Sequence, residues 1–208
     1  MAKLAAICAV LGLAGLQGGC NMVTSTTPLF FDRDTAGQAQ LRPGVWVSQE
    51  KDCKFDPAAP VNQWPECADW VIVRKDALVS LDKKTDPPKW VSQPYVLAIG
   101  DPPVVQSTFT GKDGDTLYLF GAVKPAQVDA SGAIVQFRSW PALCGPPRKR
   151  KKGDPSGTAS PFAGLQMDAD GNNCTAASVD VVRNAARLSE AFADKDQTLP
   201  HWVRDGER

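Results

Sequence analysis

The alternation of apolar and polar residues along the chain falls into three regimes. Residues 4–16 are an unbroken apolar run behind Lys3, residues 41–140 carry short apolar stretches between turn-forming clusters, and from about Thr175 the period becomes helical. In the middle regime, Leu41-Arg42-Pro43-Gly44 reads as a turn into a short strand, with Val45 and Val47 on one face and Trp46 on the other. Asp69–Val79 predicts a strand or bent strand. Lys89–Ile99 predicts another, in which Pro94 marks an edge or bulge. Asp101-Pro102-Pro103 turns the chain into Val104–Thr110, and Gly111-Lys112-Asp113-Gly114-Asp115 is a hairpin turn to Thr116–Val123. A second such turn, Asp129-Ala130-Ser131-Gly132, separates Ala126–Val128 from Ala133–Trp140. Turns at this spacing predict an antiparallel meander.

In the last regime Val181, Ala185, Leu188 and Phe192 fall on one stripe of a helix over about residues 175–194. Thr175 or Ser178 caps its start, and Asp180 suits the positive end of the helix dipole. Leu199-Pro200-His201-Trp202-Val203 then reads as a short apolar tail on the surface. The fold class expected is mainly β, an antiparallel meander or small barrel with one C-terminal α-helix. Seventeen Gly, 17 Pro and six Trp suit turns and aromatic-rich strands better than a helical bundle.

The first regime has the layout of a secretory signal: a positive residue, an apolar stretch and the small pair Gly18-Gly19. Its 13 apolar residues fall short of the roughly 20 that cross a bilayer. Cys20 follows the small pair directly, so the segment resembles a bacterial lipoprotein signal, in which that thiol is acylated and becomes the new N-terminus. Gln17 stands where that family has Leu. The other reading is a plain secretory signal that leaves Cys20 as a free thiol in a soluble periplasmic or secreted protein. In the sorted lipoproteins of Gram-negative bacteria, a residue such as Asn21 after the cysteine does not retain the protein in the inner membrane. The resemblance therefore implies a lipid-anchored protein of the outer membrane, facing the periplasm or the exterior. Acyl chains would anchor it at about 0.8 kcal/mol per buried CH₂. The domain organisation expected is a signal peptide at 1–19, a lipidated N-terminus and tether at 20–40, and one β-rich domain at 41–208. Within the tether, Leu29, Phe30 and Phe31 read as packing on the domain rather than dipping into lipid.

Cysteine usage agrees with export. Setting aside Cys8 in the signal and Cys20, four remain: Cys53, Cys67, Cys144 and Cys174. An even remainder in an exported chain implies two disulfides in one of three pairings. Cys53–Cys67 and Cys144–Cys174 are favoured, because each closes a Pro- or Gly-rich segment with little capacity to order itself. No close Cys or His pair suggests zinc.

Gly44-Val45-Trp46 at the start of the first strand, with a meander before one late helix, is similar to the lipocalin-like family of calycin barrels. The resemblance implies that Trp46 plugs one end of a barrel and that the helix follows the last strand. It makes Trp46, Trp70, Trp90, Tyr95, Tyr118, Phe120, Phe137 and Trp140 the candidate lining of a site for a small apolar ligand or lipid. The competing reading is a filled core whose surface meets another envelope component. What distinguishes the two is whether the aromatic cluster encloses an empty volume of a few hundred Å³ or is packed shut.

Catalytic signals are missing from the sequence. His201 is the one histidine, and no Gly-x-Ser-x-Gly elbow accompanies it. Asp168-Ala169-Asp170-Gly171-Asn172-Asn173 lacks the glycine and glutamate positions of a calcium loop and reads as a turn. No enzyme, cofactor or metal is expected. The 23 basic and 23 acidic residues balance, which gives no reason for a nucleic acid partner. One local anomaly is the run Arg148, Lys149, Arg150, Lys151 and Lys152 behind Pro146-Pro147. It reads as a solvated loop or as a contact for anionic lipid or lipopolysaccharide.

Reduction is expected to destabilise the domain strongly, since closing a loop of about 15 residues contributes roughly 3 kcal/mol. Equal thermal melts with and without reductant would contradict two structural disulfides.

Overall fold

Wherever the middle of the chain is rich in β-branched and aromatic residues it is extended, and eight of the extended segments close into a ring. The computed structural model describes residues 21–206 except 38, 83–84, 111–113, 148–159, 170, 172 and 196. Its strands are β1 (Val23–Ser25), β2 (Gly44–Gln49), β3 (Ala68–Val73), β4 (Ala77–Asp82), β5 (Lys89–Ala98), β6 (Val104–Thr110), β7 (Thr116–Val128), β8 (Ile134–Pro141), β9 (Leu165–Met167), β10 (Cys174–Ala176) and β11 (His201–Arg204). Helix α1 (Val179–Ser189) lies between β10 and β11. Strands β2 to β8 pair antiparallel with their neighbours in sequence, and β11 pairs with both β8 and β2. The result is an eight-stranded antiparallel barrel, a closure that leaves no open edge.

One face of the ring points inward. Trp46, Val71, Val73, Leu78, Tyr95, Leu97, Val105, Val123 and Phe137 form a single buried cluster drawn from β2 to β8, with Trp202 of β11 packed against it. The outer face is covered on two sides. Over β5 to β8, α1 buries Val182, Ala185 and Ala186 against Ala98, Val104, Phe120, Ala122 and Trp140. Over β2 to β4, the loop closed by the Cys53–Cys67 disulfide lays Val61 and Trp64 on Val45, Val47, Trp70 and Ile72. The second disulfide joins Cys144 to Cys174. Both pairings are those favoured from the sequence.

Several elements differ from the sequence reading for identifiable reasons. Asp69–Val79 is two strands, because Arg74 to Asp76 reverse the chain and the Arg74 N–H donates to the Ala77 carbonyl. The helix begins at Val179, since Cys174–Ala176 is taken by β10. Ser178, and not Thr175, is its N-cap, accepting from the Val181 N–H. Its buried stripe is Val182, Ala185, Ala186 and Ser189, while Phe192 is exposed. Close approach to the sheet seats Ala185 and Ala186 beside Val182 on the buried side and leaves Phe192 outside. The Trp140 indole N–H donates to the Ala186 carbonyl at 2.7 Å, which fixes that contact. The expected surface tail contains β11, the strand that closes the barrel, so the helix precedes the last strand instead of following it.

The described residues of the segment 21–40, read as a tether, lie along the body from Asn21 onward. β1 pairs with β7 on one side and with β10 on the other. Phe30 is buried, Leu29 packs beside it, and Phe31 is 40 % exposed. Gln106 holds this segment: its side-chain oxygen accepts from the Leu29 and Phe30 N–H groups, and its amide donates to the Phe30 carbonyl. A buried side chain thereby satisfies backbone groups that have no strand partner.

Gly44 is where ring closure meets a steric limit. Its φ is +129°, and a Cβ there would collide with the Arg204 carbonyl oxygen and lie 2.8 Å from the Trp202 indole nitrogen. Glycine is thus required where the last strand crosses the first strand of the barrel. Gly44→Ala is expected to destabilise the protein by at least about 2 kcal/mol, measured by denaturant unfolding. An unchanged midpoint would show that closure does not depend on this approach.

Candidate binding cleft

The eight aromatic residues proposed as a ligand lining do not converge. Trp46, Tyr95 and Phe137 face the interior, where the Trp46 and Phe137 rings meet at 5.3 Å. Trp70 faces outward under the Cys53–Cys67 loop and packs at 5.7 Å on Trp90, which is 54 % exposed. Tyr118, Phe120 and Trp140 lie on the outer face in the cluster capped by α1. Strand alternation separates them, because residues one apart point to opposite faces. Trp46 sits near the end of the barrel at which β2 begins, and its indole N–H donates to the Arg42 carbonyl at 2.8 Å.

At that end a half-open cleft of about 660 Å³ lies between the barrel rim and the turn of 3-10 helix at Asp32–Thr35. Leu41, Tyr95 and Leu97 are its buried surfaces, and exposed Lys75, Asp76 and Ser131 stand at its rim. Leu41, Tyr95 and Leu97 belong to the same cluster as Trp46 and Phe137, so the cleft ends on packed core. The sequence placed Ser131 in a turn and Lys75 within the strand expected over Asp69–Val79. Nothing local in it brings 32–41, 75–76 and 131–133 to one rim.

The rim is ordered by charge and hydrogen bonding. Asp129 accepts from the Ser131 hydroxyl and from the Ser131 and Ala133 N–H groups. The Ser131 hydroxyl contact leads in holding its carboxyl below the usual range. Arg42 reaches Asp129 at 3.2 Å and Asp205 at 3.3 Å while lying 3.7 Å from the Trp202 ring centroid. Tyr95 donates its hydroxyl to the Arg74 carbonyl at 3.2 Å. Burial, with the Asp76 carboxylate adding to it, pushes the Tyr95 phenol well above its ordinary value.

His201 is on β11, half-buried beside a shallow outer groove lined also by Arg42 and Trp202. Among the described residues no group of three His, Cys, Asp or Glu side chains is placed to hold a metal, and no helix is long and apolar enough to cross a membrane. Cys20 and the run Arg148–Lys152 lie outside the described residues. No family model, curated protein or solved structure matches the chain.

The raised Tyr95 pKa has a sign that can be checked. The unfolded chain loses this proton near pH 10, whereas the folded protein retains it, so the contribution to stability is complete below pH 10 and falls as pH rises above it. Tyr95→Phe should cost about 1 kcal/mol at pH 7 through the lost hydrogen bond. It should also flatten the decline in melting temperature above pH 10. An alkaline decline that persists unchanged in the variant would assign it to other groups.

Proposed function

We propose that the protein is a lipid-anchored domain of the bacterial cell envelope, attached through Cys20, that acts through its outer surface on another envelope component. The observation that carries this reading is the occupied barrel interior. Trp46, Phe137, Leu97, Val105, Val123 and Ile134 are each at most 2 % exposed and fill the space an apolar ligand would need. Small barrels are commonly filled by their own side chains in this way. Chain length is spent instead on the exterior, where β1, β9, β10, α1 and the Cys53–Cys67 loop build layers on the ring. Two disulfides suit an oxidising compartment outside the cytoplasm. The signal-like N-terminus and the cysteine after Gly18-Gly19 support export and acylation, and Asn21 supports delivery to the outer membrane. Anionic headgroups are the partner proposed for Arg148–Lys152, each cation contributing about 1 kcal/mol near such a surface.

A lipocalin-like carrier is the competing reading, and the mouth cleft is the feature that favours it. The cleft opens on the side where Trp46 stands, but it is half-open and rimmed by Lys75, Asp76 and Ser131. It suits the polar part of a ligand better than an acyl chain.

Intact mass of the protein extracted from its native membrane, beside Cys20→Ser, tests the anchor. A mass increase from acyl chains that vanishes in the variant is the expected result. An unmodified mature chain would overturn the anchored reading and leave a free exported domain.

A further inference from the structure

The chain has no slack where it joins the body. The Cys144 N–H donates to the Asn21 carbonyl oxygen at 3.0 Å, and the Asn21 side-chain amide donates to the Gly145 carbonyl at 3.0 Å. The Val23 N–H donates to the Ala142 carbonyl at 2.8 Å, the Cys174 N–H donates to Met22 at 3.2 Å, and the Thr24 hydroxyl donates to the Cys174 carbonyl at 3.2 Å. β1 is therefore gripped on one flank by residues 142–145 and on the other by β10. The Cys144–Cys174 disulfide joins those two flanks covalently. Asn21, Met22 and Val23 are 5 %, 3 % and 0 % exposed. The side-chain oxygen of Asn21 is buried without a hydrogen-bond partner among the described residues, an acceptor left at the point where residue 20 joins.

We propose that this clamp sets the barrel directly on the bilayer in one orientation, with the edge formed by Gly145, Asn173 and β9–β10 facing the lipid headgroups. The inference rests on the acylation of Cys20 argued above. A flexible linker of n residues allows a reach of about 5–6 Å times √n. Here residue 20 is one peptide unit, about 3.8 Å, from a residue locked into the body. Acyl chains on residue 20 bring the headgroup layer to that edge and leave the domain no stalk on which to tumble. The opposite end of the barrel, with the turn after β7, is held away. Cys144 and Gly145, which hold Asn21, lie beyond the Pro141 end of β8, and seven residue steps of β8 separate Pro141 from Ile134 beside that turn, roughly 23 Å at strand rise.

The test uses acylated protein in vesicles of phosphatidylethanolamine and phosphatidylglycerol with an energy acceptor on the headgroups. One donor dye is placed at Gln166→Cys, exposed on β9, or at Ala130→Cys, exposed in the far turn. Strong transfer from position 166 and its loss at position 130 are expected. Inserting about 15 Gly/Ser residues, with a span of about 20 Å, between Cys20 and Asn21 should abolish the difference. Equal transfer from the two sites in the uninterrupted chain, or a difference that survives the insertion, would overturn the orientation. The intact mass of the same sample separates the two failures. Missing acyl chains overturn the anchor, whereas full acylation with equal transfer overturns the orientation alone.

Discussion

The contact on which the structure depends is the crossing of its last strand, β11, over β2, the first strand of the barrel. β11 returns after more than 150 residues to pair with β2, with Trp202 opposite Trp46. That pairing converts a seven-stranded meander with two exposed edges into a ring. Its geometry is determined by a small group of side chains around Gly44. The Trp202 indole donates to the Pro43 carbonyl at 3.1 Å, Arg42 stacks on the Trp202 ring, and Arg42 is held in turn by Asp129 and Asp205. Arg204, two residues further along, donates to the Ala59 carbonyl at 3.0 Å and so ties the closing strand to the Cys53–Cys67 loop. Contacts this distant in sequence form against a large loop-closure entropy. The two disulfides and α1 matter because they order the segments that lie between.

Closure also explains the distribution of the aromatic residues. A ring of eight strands has an interior just wide enough for side chains, and here Trp46 and Phe137 occupy it. Tyr95 joins them there, whereas Phe120 and Trp140 lie on the outer face under the helix and Trp70 lies under the disulfide-closed loop. The helix reaches the sheet through Ala185 and Ala186 because only small residues allow the Trp140 indole to reach the Ala186 carbonyl. The consequence is a domain with three buried clusters and a half-open cleft at the rim of the barrel.

Covalent and noncovalent restraints meet again at the N-terminal strand. β1 is three residues long and too short to be stable alone. It persists because residues 142–145 and β10, which flank it, are joined by the Cys144–Cys174 bridge and because Gln106 receives the backbone just beyond it. What reads in the sequence as a Thr/Ser-rich spacer is part of the folded body. An anchor at Cys20 would therefore act on the domain as a whole.

By itself the sequence determined the local and pairwise features. Strand alternation around Val45-Trp46-Val47, the turn at Asp129–Gly132 with its αL glycine, the presence of two disulfides with a favoured pairing and the presence of one late helix all follow from residue type and spacing. Such features depend on propensities and loop lengths within a few tens of residues. Tertiary structure alone decided the rest: that His201–Arg204 closes the ring, that β1 docks beside β10, that the helix buries Val182 and Ala186 rather than Val181 and Leu188, and that residues near 32, 75 and 131 share a rim. Four-residue strands such as β11 carry almost no periodic signal, and their place is set by which unpaired edge and which uncovered face remain once the longer strands have paired.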